Sequence, residues 1–150
     1  MSDVIEKRIE LNAPVSRVWR ALTDHREFGE WFRVKIDGPF AVGQVARGRI
    51  TYPGYEHVEW QATVTKMEPE RLFAFTWHPY AVDPAMDYSI EPTTLVEFRL
   101  KAAGDGTILF LTESGFDGIP QDRRFEAFRM NERGWAIQMT NIAQHVDHAG

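Results

Sequence analysis

The feature that most constrains this chain is where its large aromatic residues fall. Phe73, Phe75 and Trp77 alternate along one strand-like run, and Val58, Trp60, Ala62 and Val64 alternate along the run before it. Phe128, Trp135, Met139, Ile142 and Val146 recur near the end at helical spacing. Alternation places residues on one face of a sheet, and the helical spacing places them on one face of a helix. A twisted antiparallel sheet wrapped around one long C-terminal helix puts all three sets in the same interior. That interior is either a solid aromatic core or a pocket for an apolar small molecule.

A chain of 150 residues is expected to form one domain over 1–150. Its 43% hydrophobic and 26% charged content suits a soluble globular protein. The absence of cysteine excludes a disulfide framework, a thiolate metal site and a cysteine nucleophile. A net charge of −5 argues against general nucleic-acid binding, which needs a basic face, and against adsorption to anionic membranes. The opening Met1-Ser2-Asp3-Val4-Ile5-Glu6-Lys7 carries no secretory pattern, and no apolar run is long enough to span a bilayer. A cytoplasmic protein is the expectation.

Ile5, Lys7, Ile9 and Leu11 alternate with Glu6, Arg8 and Glu10, which reads as a half-buried strand with Lys7 on the inner register. Pro14 suits a helix start, and Val15, Val18, Trp19 and Leu22 form a helical stripe that Asp24 and His25 break. A second short helix carries Phe28, Trp31 and Phe32. After turns at Gly38-Pro39-Phe40 and Gly43, strands are expected over 45–52, 57–67 and 72–77, the last two as a hairpin. The 78–92 stretch, with Pro79, Pro84 and Pro92, reads as a long loop of the kind that serves as a lid or binding segment. Strands over 94–101 and 107–114 follow, joined through Ala103-Gly104-Asp105-Gly106. A helix then runs from Pro120 towards His145, with Gly134 inside it as a sign of close packing. The fold class is α+β, with an antiparallel sheet and segregated helices.

Four segments carry a resemblance to a known family. They are 9–24 (Ile9-Glu10-Leu11-Asn12-Ala13-Pro14 through Asp24), Gly38-Pro39-Phe40 with Gly43, 67–77 (Met67-Glu68-Pro69-Glu70-Arg71-Leu72-Phe73-Ala74-Phe75-Thr76-Trp77), and Gly134-Trp135. Together they make the chain resemble the START-like (birch-pollen-allergen-like, SRPBCC) superfamily, in the branch of homologues of the activator of the heat-shock chaperone (Hsp90) ATPase. The resemblance runs from about Ile5 to Val146. It implies a helix-grip fold, a curved antiparallel sheet gripping the C-terminal helix, with a cavity between them for a small-molecule or lipid-like ligand. It also implies, as alternatives, a co-chaperone-like protein-binding module or a cyclase or hydrolase using the same cavity. Where the family usually has leucines after Gly134-Trp135, this chain has Gln138, Met139, Ile142 and Val146. The chaperone-activating members carry additional domain sequence that is not present here.

The expected lining of the cavity is Trp31, Phe40, Trp60, Phe75, Trp77, Phe98, Phe110, Trp135 and Met139, with Arg49, Thr112 and Asn131 as the polar groups that orient a ligand. No catalytic constellation, cofactor motif or nucleotide-binding loop is present in the sequence. His145 and His148 lie near a frayed terminus rather than in a metal site, for which two ligands are too few. Glu97 and Glu113 are expected to point outward, opposite Phe98 and Thr112. Arg123, Arg124, Arg129 and Arg133 read as the wet face of the helix.

Overall fold

The computed structural model describes residues 4–148. The chain runs β1 (Ile5–Leu11), α1 (Val15–Thr23), α2 (His25–Phe32), β2 (Val34–Ile36), β3 (Val45–Ile50), β4 (Glu59–Glu68), β5 (Leu72–Trp77), β6 (Thr94–Ala103), β7 (Gly106–Ser114) and α3 (Gln121–His148). Single turns of 3₁₀ helix lie at Tyr88–Ile90 and Phe116–Gly118.

Asp24 separates the first two helices, and its carboxylate caps α2 by accepting from the backbone N–H of Arg26 and Glu27. Arg33, in the left-handed region at φ 70°, ends α2 and turns the chain directly into β2. Three residues carry too little alternation to announce a strand, which is why β2 is absent from the sequence reading. It pairs with β3 through Ile36↔Gly48. A β-carbon at Gly48 would run into the Lys35 carbonyl oxygen, so this close approach requires glycine.

The strands form one antiparallel sheet of seven, in the order β1-β7-β6-β5-β4-β3-β2. Residues paired across antiparallel strands share a face. One row of the inner face therefore reads Ile5, Glu113, Val96, Phe75 and Val64, and the next reads Lys7, Leu111, Phe98, Phe73 and Met67. A bulge between Val64 and Lys66 returns Met67 to the inner face. Helix α3 packs across this face against β1, α1 and α2.

One register differs from expectation. On β7 the buried residues are Thr107, Leu109, Leu111 and Glu113, while Ile108, Phe110 and Thr112 lie on the outer face and are half-buried. Both faces of this strand are apolar, so alternation alone does not choose between them. A shift of one residue exchanges every side chain between faces.

The reason proposed for Gly134 does not hold. Apart from its chain neighbours and the adjoining turns of its own helix backbone, no atom lies within 4 Å of where its β-carbon would be. Helix α3 continues through His145 to His148.

Candidate functional site between the sheet and the C-terminal helix

The inner face of the sheet, α2 and α3 enclose a continuous aromatic layer. Phe28 packs on Trp31, Phe32, Phe40, Trp60 and Phe75 at centroid separations of 4.8–6.4 Å. Phe98 contacts Trp31, Phe73, Phe75 and Trp135, and Trp77 stacks on Trp135 at 5.6 Å and 28°. Most of the other pairs are tilted or edge-on, the arrangement aromatic quadrupoles favour. Sequence reading placed Trp31, Phe40, Trp60, Phe75, Trp77, Phe98, Trp135 and Met139 in this interior. The structure brings the rings together there, with Met139 buried on the same face of α3.

Phe110, Thr112 and Arg49 are not among them. Phe110 is paired with Arg8 and Arg99, and Thr112 with Glu6 and Glu97, all on the outer face. Arg49 is exposed on that same face, 3.8 Å from Glu59 and donating to the Glu56 carbonyl at 3.4 Å. Two open hollows are also present. One of about 320 Å³ is bordered by Asp37, Arg47, Arg49, Glu59, Gln61 and, from the ring layer, Trp60. Another of about 380 Å³ lies between α2 and β2, beside His25, Gly29, Val34 and Ile36. Between sheet and α3 the rings of Phe32, Trp77 and Phe98 stand in contact with Trp135.

The polar centre of the interior is Glu113, expected on the surface and found fully buried at 0% exposure. Its Oε1 accepts from the Trp135 indole N–H (2.8 Å) and the Asn131 amide (3.0 Å). Its Oε2 accepts from the Trp77 indole N–H (2.7 Å), the Thr94 hydroxyl (2.6 Å) and Asn131 (3.1 Å). An indole N–H can only donate, so these partners match a carboxyl acting as acceptor. A buried polar group this fully bonded ties β5, β6 and β7 to the middle of α3. It also leaves no free lone pair with which to take a proton from a substrate, so the arrangement suits fixation better than acid-base chemistry.

Among the described residues, three buried donors lack a hydrogen-bond partner, namely Arg17 Nε, Arg123 Nη2 and the Trp60 indole N–H, and only the last belongs to the ring layer. Trp60, 5% exposed, has its indole N–H buried without an acceptor among the protein groups. Around its ring stand Phe28, Phe32, Phe75 and Trp77, at centroid distances of 5.7–6.3 Å.

From Trp77 the chain continues into the 78–92 segment, which Arg123 fastens. The Arg123 guanidinium donates from Nε to Glu91 Oε1 at 2.9 Å and from Nη1 to the Pro79 and Tyr80 carbonyls at 2.9 and 3.4 Å. Its Nη2 lies 2.7 Å from the same Glu91 oxygen, as an ion-pair contact off the hydrogen-bond direction. The guanidinium carbon sits 4.8 Å from the Tyr88 ring centroid. His78 adds a 3.0 Å contact to the Glu91 carbonyl. Arg123 was expected on the wet face of the helix, yet it is only 15% exposed. Arg124 is likewise engaged, donating to the Ile119 and Asp117 carbonyls. Tyr80, at φ 51°, packs against the core, and burial together with the nearby Glu126 raises its hydroxyl above the usual value of 10.0.

The far end of α3 carries a separate ionic cluster. Glu27 bonds Arg17 (2.6 Å), Arg20 (2.8 Å) and His145 (2.9 Å), joining all three helices. Burial pushes the Glu27 carboxyl up, but the hydrogen bonds from His145 and Arg17 and the charges of Arg17 and Arg20 outweigh it, leaving the carboxyl below its ordinary 4.5. No group of three or more potential metal ligands occurs among the described residues, and none of their helices is long and apolar enough to cross a membrane.

A curved antiparallel sheet closed over a long C-terminal helix, with an aromatic interior between them, defines a helix-grip protein of the START-like class. The chain belongs to the family described as Activator of Hsp90 ATPase homolog 1-like protein, whose model matches residues 12–147. Among solved structures, it is similar to protein MLL2253 from Mesorhizobium loti, with 26% identity, a TM-score of 0.76 and 98% of each chain covered. It also shares its fold with the Aha1 dimer from Colwellia psychrerythraea (21% identity, TM-score 0.71, 97% of this chain and 96% of that one). Protein NE0264 from Nitrosomonas europaea is another such neighbour (17% identity, TM-score 0.75, 98% of this chain and 96% of that one). No curated protein matches the chain.

Proposed function

We propose that this protein binds an apolar small molecule or lipid-like ligand between the sheet and α3. The observation that carries the reading is the aromatic layer itself, which runs from Phe40 to the partly exposed Trp77, where the chain continues into a separately fastened segment. A ligand enters when that segment lifts, and it takes over contacts that the rings now make with one another. Met139 is suited to such repacking because an unbranched thioether adapts to irregular space. Affinity comes mainly from burying apolar area, at about 25 cal/mol per Å² before the costs of association. The absence of cysteine is compatible with the reducing cytoplasm, where we place this activity.

A role as a protein-binding module has less support. The exposed large apolar residues come singly or in pairs from separate segments: Val42 with Val45, Tyr52 with Tyr55, Met86 with Ile90, and Phe125 and Ile137 on α3.

Tryptophan emission and melting temperature, measured against a panel of apolar compounds, test the proposal. Saturating binding accompanied by a rise in Tm is expected. A panel in which no compound changes either signal would overturn it.

A further inference from the structure

We infer that the ligand of this interior presents a neutral hydrogen-bond acceptor, of the carbonyl class, to the indole N–H of Trp60, which makes Trp60 the residue that sets ligand specificity. The inference rests on the ligand-binding reading above and sharpens it. Native interiors leave few buried donors unpaired, and each one carries an uncompensated desolvation cost. The other two indoles at the Trp77 end of this layer are fully provided for, since Trp77 and Trp135 both donate to Glu113. Trp31 likewise donates to the Ala21 carbonyl at 2.8 Å. Trp60 alone among these four has its N–H buried without an acceptor, and it stands among aromatic rings that offer none of comparable strength.

A ligand oxygen at this position removes an existing deficit, whereas a pure hydrocarbon leaves it in place. An amine or ammonium group brings donors where a donor already lacks a partner. A carboxylate would carry a charge into an apolar interior, at a desolvation cost that one indole N–H does not offset. A ketone or ester on an apolar frame fits both conditions.

The test compares phenylbutanone with butylbenzene, which matches it in shape but lacks the oxygen. Water releases the hydrocarbon more readily, so an interior that recognised only apolar area would favour butylbenzene. The expected result is that the ketone binds at least about tenfold tighter. In an ¹⁵N–¹H spectrum of the five tryptophan side chains, the Trp60 indole resonance should move downfield with phenylbutanone and not with butylbenzene. Trp60→Phe should abolish the preference while binding of the hydrocarbon persists. The resonance measurement on the unaltered protein stands even if that variant does not fold. Equal or reversed affinities, or a Trp60 resonance that ignores the ketone, would overturn the inference while leaving the ligand-binding reading intact. Failure of both compounds to bind would overturn the inference, while the ligand-binding reading stands or falls on the wider panel.

Discussion

Single side chains set the polar chemistry of this interior. Glu113 accepts hydrogen bonds from partners 18 to 36 residues away in sequence. Glu113→Ala strands two indole N–H groups, a hydroxyl and an amide at once. A loss of about 3 kcal/mol or more is expected in urea unfolding. Thr112→Ala, one position away on the outer face, should stay within about 0.5 kcal/mol. At the other end of the helix layer, the lowered carboxyl of Glu27 gives a pH signature. Its stabilising contribution is complete above the unfolded carboxyl's value near 4.5 and is lost as pH falls through the lower folded value. Glu27→Gln should therefore lower Tm at neutral pH and flatten the acid side of the Tm–pH curve below about 4.5. Neither group was legible beforehand. Glu113 lies on a strand that is apolar on both faces, and nothing local shows that Trp77, Thr94, Asn131 and Trp135 converge on it. Asn131 was marked as a polar candidate, but its partner could come only from the assembled fold.

The elements themselves were far easier to read. The alternating rings of Phe73, Phe75 and Trp77 after the Glu68-Pro69-Glu70 turn marked β5, and Asp24 broke the two short helices where its side chain caps α2. β2 escaped because three residues between a left-handed Arg33 and a turn have no period to measure. Gly134 was legible as an anomaly, but its cause was misassigned. With open space around it, Gly134→Ala should stabilise α3 by about 1 kcal/mol, read as a higher midpoint in denaturant. Arg123 fastens the 78–92 segment through side-chain and backbone contacts alike. Arg123→Ala should accelerate amide hydrogen exchange over 79–91 while β4 to β7 keep their protection. Equal acceleration in the strands would show that Arg123 holds the whole fold rather than this segment.

At the scale of the whole molecule, the class of fold was legible because two periodicities, one for strands and one for a helix, demanded a common interior. What fills that interior was not. Sequence supplies a list of rings, and only their mutual distances show them touching one another and leaving one indole without an acceptor. The same architecture orders events during synthesis. β1, made first, pairs with β7, made last among the strands, through Ile5↔Glu113 to Leu11↔Thr107. Thr107 then bonds the Ala13 carbonyl across 94 residues. On the ribosome the amphipathic β1 segment must wait without its strand neighbour until β7 has emerged. Nascent chains halted before Gly106 should accordingly remain open to protease at their amino-terminal end, however well the central hairpins have already formed.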